Sequence, residues 1–141
     1  MPARYVDASV FVHAYLKPRR KLTPGEENIK KRAQAIVARI NRGEAVLLST
    51  VHFAEIANVL EDWMALGDAQ AVQLGLATMD NVGLLTVRRS DLLDALALGS
   101  ETEVGTTDAL AVVLMEQEGT SDIYSFDRDF DRFEGVHRVA Q

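Results

Sequence analysis

Short apolar runs alternate along the chain with longer stretches whose apolar residues recur at helical spacing, the pattern of an α/β domain built on a mostly parallel sheet. Tyr5-Val6 predicts a first strand; it ends at Asp7 and feeds a short helix through Val10, Phe11, Val12 and Leu16 that Pro18 stops. Thr23-Pro24-Gly25-Glu26 has the spacing of a capping box with proline at the first helical position, and Ile29, Ala33, Ile36, Val37 and Ile40 line one face of the helix that follows. Ala45 to Leu48 reads as a second strand. Ser49-Thr50 then caps a helix from about Val51 to Leu66, broken at Gly67-Asp68 and followed by another to about Asp80. Gly83 to Val87 predicts a third strand. Ser90 is the expected cap of the next helix, whose Leu92, Leu93, Leu96 and Leu98 suggest burial. Ala109 to Met115 is almost wholly apolar and ends at Gly119, a helix enclosed by the sheet and its neighbours. Ile123 to Phe126 is a fourth strand ending at Asp127, and Val136 to Val139 a fifth at an edge.

The 141 residues fit one domain, residues 1–141, with no internal repeat or linker. Apolar residues make up 48% and charged residues 26%, which excludes a disordered, collagen-like or coiled-coil chain. No apolar run approaches the ~18 residues of a membrane span, and the N-terminal residues lack the apolar stretch of a signal peptide, so the expected location is the cytoplasm, away from membrane. Without cysteine there is no disulfide, thiolate zinc site or cysteine nucleophile, and three histidines make a histidine-rich metal site unlikely. Any metal is expected on oxygen ligands. The formal charge of −6 argues, taken alone, against nucleic-acid binding.

Sorting the acids by position changes that picture. Ligands of open α/β sheets bind beyond the carboxyl ends of the strands. Asp7 and Asp127 end the first and fourth strands in apolar surroundings, where an aspartate is costly without a partner. Asp108 lies in the first turn of an otherwise apolar helix, where backbone amides favour a carboxylate. Glu55, in the second turn of the helix after the second strand, can look toward the strand ends while Val51, Ala54, Leu60 and Met64 face the core. Four carboxylates at one sheet edge raise one another's pKa unless a cation joins them. Oxygen-only ligands suit Mg²⁺ or Mn²⁺, and the chemistry that such a site serves is metal-assisted phosphodiester hydrolysis. Setting those four aside leaves a charge near −2, with bases gathered at Lys17 to Lys21, Lys30 to Arg32 and Arg88-Arg89.

These residues resemble the PIN-domain ribonucleases, and among them the VapC-type toxins of prokaryotic toxin-antitoxin pairs. The resemblance rests on Val6-Asp7-Ala8-Ser9, on Glu55 in Ala-Glu-Ile-Ala-Asn-Val-Leu, on Asp108 in Thr-Asp-Ala-Leu-Ala, and on Ser125-Phe-Asp127-Arg-Asp129-Phe130. It implies a three-layer α/β/α fold with four to five strands, and an Mg²⁺- or Mn²⁺-dependent endoribonuclease. It also implies that Asp7 and Asp108 bind metal directly, that Glu55 and Asp127 complete the pocket directly or through water, and that the hydroxyls of Ser9 and Ser125 stand beside it. An RNA substrate, homodimerisation and an antitoxin that blocks the site are implied partners. The basic segment from Lys17 to Arg32 is longer than many compact members carry.

Plainer readings hold elsewhere. Asp129 and Asp131 suit a turn or helix start, Asp129 with a supporting role at the site in second place. Glu61, Asp62, Asp91, Asp94, Glu101 and Glu103 suit solvated helix faces, and His52 a structural or exposed position. Trp63 and Phe53 suit the core or a dimer interface rather than base stacking, while the Lys17–Lys21 and Lys30–Arg32 clusters suit solubility or phosphate contact equally. A phosphoacceptor receiver domain would need an aspartate ending the third strand and a lysine ending the fifth, and neither is present. The alternatives that keep the fold are an RNA-processing nuclease without a toxin role and a catalytically silent PIN-like binding module.

Overall fold

The computed structural model describes residues 2–141. Five short parallel strands form one sheet: β1 (Arg4–Val6), β2 (Val46–Ser49), β3 (Val82–Leu85), β4 (Asp122–Tyr124) and β5 (His137–Val139), in the order β3-β2-β1-β4-β5. The helices are α1 (Ala8–Tyr15), α2 (Pro24–Asn41), α3 (Thr50–Trp63), α4 (Leu66–Thr78), α5 (Arg89–Thr102) and α6 (Thr106–Glu118), with a 3₁₀ turn at Arg128–Arg132. Successive strand residues face opposite ways, so Val6 joins a core under α1 to α4 while Tyr5 joins a core under α5 and α6. The result is the three-layer α/β/α architecture, with β1 and β4 adjacent at the centre and the chain turning outward on either side of them.

Local chemistry fixes most element starts. Thr23 caps α2 with its side chain on Glu26 N–H while Glu26 returns to the Thr23 N–H, the capping box expected from sequence. Ser49 caps α3 through the His52 N–H. Gly119 ends α6 in the left-handed region at φ 70°, which glycine adopts without a Cβ penalty.

Several expectations need correction. The α3–α4 break falls at Met64-Ala65, and Gly67 lies within the first turn of α4. Leu60 is buried as expected, but Ala54 is exposed, because α3 turns His52 and Ile56 inward with it. Helix α5 starts at Arg89, one residue before Ser90, and in place of a serine cap the buried Asp91 carboxylate accepts from the Arg88 N–H and from the Gln117 amide. Of the α5 leucines only Leu98 packs, partly buried, against the core; Leu92, Leu93 and Leu96 are exposed because the helix packs on α6 through Ala95 and Gly99. A Cβ on Gly99 would stand 2.6 Å from the Val104 carbonyl oxygen, so the close approach requires glycine. Trp63 is 58% exposed and lies outside the core, whereas Phe53 packs partly buried against it. No helix among the described residues is long and apolar enough to cross a membrane.

Candidate metal centre

The carboxyl ends of β1 and β4 converge where the strand order reverses, the place at which open α/β sheets build sites. The Asp7 N–H bonds the Tyr124 carbonyl at 2.9 Å, which ties the end of β1 to that of β4. Asp7 is then the N-terminal neighbour of α1 and is buried, at 5% exposure. Its Oδ2 accepts a hydrogen bond from the buried Ser125 hydroxyl at 2.8 Å, and the same Oγ receives the Asp127 N–H at 2.9 Å. Ser9 closes the arrangement by accepting the Phe126 N–H at 3.1 Å and lying 3.4 Å from the Ser125 hydroxyl. The two serines therefore hold the β4 loop against the start of α1 and present its acids.

Asp127 caps the 3₁₀ turn, its Oδ1 accepting the Asp129 N–H at 2.9 Å. This local turn brings Asp129 back beside Asp127. Asp108, in the first turn of α6, reaches the same point, so that one carboxylate oxygen from each of Asp108, Asp127 and Asp129 lies within 4.8 Å of the others. Asp129 was the residue with the weaker sequence signal; the Asp-x-Asp spacing at a cap is the feature that could have raised it.

Asp7 and Glu55 complete the surroundings electrostatically. Burial pushes the Asp108 carboxyl up to about 7, and the charges of Asp7, Asp127, Glu55 and Asp129 push in the same direction. Burial raises Glu55 as well, with Asp7 adding to the shift, while His52 and the Thr107 side chain oppose it. Asp7, Glu55 and Asp127 thus all bear on the Asp108 carboxyl, although only Asp127 and Asp129 bring an oxygen close to it. Such a cluster favours a cation, and a donor set made only of carboxylate oxygens fits a small hard ion such as Mg²⁺ or Mn²⁺.

His52 is buried and structural. Its Nε2 lies 2.8 Å from the Thr107 carbonyl, which can only accept, so Nε2 donates; Nδ1 faces the Tyr5 hydroxyl at 2.7 Å and the Ser49 hydroxyl at 2.6 Å. This network joins β1, β2 and α3 to the residue preceding Asp108, and no local sequence signal announces it. Tyr5, packed edge-on against the ring, has its hydroxyl pKa raised by burial.

An open α/β sheet with a carboxylate cluster at its strand-order reversal defines a class of α/β proteins with an acidic site at the sheet edge, and the comparisons specify it further. The sequence profile of the PIN domain matches residues 4–136, and the chain belongs to the PIN domain family. No curated protein sequence matches it. Its fold is similar to that of Mycobacterium tuberculosis VapC20, described as a sarcin-ricin loop cleaving toxin: TM-score 0.66, 19% identity, covering 92% of this chain and 93% of the other. A toxin-antitoxin complex from Klebsiella pneumoniae contains a chain of similar fold, at TM-score 0.66 and 12% identity over 96% of both chains. A third is VapBC2 from Rickettsia felis, solved with a fragment of promoter DNA, at TM-score 0.64 and 12% identity over 97% of both chains.

Proposed function

We propose that this chain is a metal-dependent endoribonuclease, the toxin of a toxin-antitoxin pair, acting as a single domain and paired with a second copy of itself. The observation that carries the reading is the convergence of Asp108, Asp127 and Asp129 on one point, with Asp7 and Glu55 close enough to shift the Asp108 carboxyl. Membership of the PIN family and the similarity in fold to VapC toxins support it.

In this reading Asp7, Asp108 and Asp127 hold Mg²⁺ or Mn²⁺, with Asp129 alongside. When bound, the ion supplies an activated water and neutralises charge on the phosphodiester. Ser125 orients Asp7 through its Oδ2, and Ser9 fixes the loop that carries Asp127. Glu55, whose pKa burial raises, would hold a proton at its carboxylate on this edge. The antitoxin would act by covering this edge. The test is incubation of the purified protein with RNA and Mg²⁺ or Mn²⁺, against Asp7→Asn. Cleavage that stops on chelation and falls at least a hundredfold in the variant supports the reading; cleavage unchanged by either contradicts it.

A further inference from the structure

Helices α1 and α3 both begin at the acidic edge, and both end at a cleft that the proposed chemistry leaves unused. One cleft of about 520 Å³ lies between Ala14, Tyr15, Lys17, Lys30, Trp63 and Met64. It shares Lys17 and Trp63 with a second, about 910 Å³, bordered by Pro18, Arg19, Arg20 and Asp62. A third, about 160 Å³, shares Pro18, Arg20 and Lys30 and reaches back to His13, whose ring stacks edge-on against Phe126 in the loop of the acidic site. The three adjoin one another through these shared residues, and the last ends at His13 beside the loop that carries Asp127. Eight residues separate Glu55 from Trp63 on α3, about 12 Å along the helix.

The chemistry of these clefts is that of a single-strand binder. On a chain of charge −6, the first two clefts carry Lys17, Arg19, Arg20 and Lys30 against Asp62 and Asp68. Arg20 is held in place by two hydrogen bonds to Glu26, at 2.9 and 2.7 Å, and even with that pair counted as neutral the balance stays positive. The Lys30 ammonium is anchored on the Leu16 carbonyl at 2.6 Å, which fixes the loop bearing Lys17 and Arg19 beside the indole. An exposed aromatic face flanked by cations is the combination that stacks a base and tracks its phosphates. An acidic peptide would be drawn to the cations but would leave the indole without a planar partner.

We propose that Trp63, flanked by Lys17, Arg19 and Arg20, is a stacking platform that binds single-stranded RNA about 12 Å along α3 from Glu55. This inference rests on the nuclease reading and gives that site an extended substrate track. Trp63 is the chain's single tryptophan, so its fluorescence reports on the platform alone. The experiment titrates the intact protein with a twelve-nucleotide oligouridylate in EDTA, reading both tryptophan emission and the anisotropy of labelled RNA, with an oligoglutamate peptide as the competing probe. Expected are saturable quenching by RNA, weakening as salt rises, and an affinity loss of about fivefold or more in Trp63→Ala that Trp63→Phe restores. Lys17→Glu with Arg19→Glu should abolish the quenching. RNA binding without quenching, no RNA binding, or quenching by the peptide alone would each overturn the platform. Because EDTA removes catalysis, the two readings separate: quenching with no cleavage under Mn²⁺ would remove the nuclease and keep the platform, and cleavage without quenching would do the reverse.

Discussion

Asp108 shows how a single side chain records the need for a cation. Its folded-state pKa, about 7, lies above the ordinary 3.8, so between those values the folded protein holds a proton that the unfolded chain has released. Without divalent ions, the contribution of this carboxyl to stability is therefore greatest below about pH 4 and is lost as pH rises through about 7. Thermal melts in EDTA across pH 4 to 8 should show that decline. Asp108→Asn should flatten it and melt higher than the parent at pH 8, and Mn²⁺ should raise the melting temperature of the parent but not of the variant. His52 makes a second residue-scale case. His52→Ala leaves the Thr107 carbonyl, Tyr5 hydroxyl and Ser49 hydroxyl short of partners, a cost of about 1–3 kcal/mol or more. Urea unfolding should register that loss, together with reduced cleavage from the displaced start of α6.

At the scale of elements, what was legible in the sequence depended on whether the determining interaction was local. The Thr23 capping box, the Ser49 cap, the Gly119 terminator and the end of β1 at Asp7 are set within a few residues, and each was readable, whereas β4 stops at Tyr124 and leaves Asp127 to cap the 3₁₀ turn. The burial of α5 was not. Its leucines suggested a core face, yet the face that packs is defined by what α6 can approach, and that is Ala95 and Gly99. Gly99→Ala should accordingly destabilise by about 1–3 kcal/mol through its clash with the Val104 carbonyl. Gly75→Ala, in α4 with open space around the added methyl, should instead stabilise by about 0.5–1 kcal/mol. Chemical denaturation of the two variants side by side checks both signs.

For the molecule as a whole, topology does what composition could not reveal. The charge of −6 seemed to exclude RNA, but the fold concentrates acids at the β1–β4 edge and gathers bases along the clefts from His13 to Trp63. That Asp7, Glu55, Asp108 and Asp127 lie at one edge could be anticipated from their positions at strand ends and helix starts. Asp129 entered through a 3₁₀ turn, and Trp63 left the core because α3 ends beside the exposed basic loop; both depend on geometry beyond any one motif. In the function proposed above, this acidic edge binds a divalent ion without which RNA is not cut. The most direct test of this is calorimetric titration of Mn²⁺ into the parent and Asp108→Asn proteins, with RNA cleavage followed on the same samples. The account predicts that Mn²⁺ binding and cleavage are lost together in the variant; cleavage at the parent's rate by Asp108→Asn protein that no longer binds Mn²⁺ would contradict it.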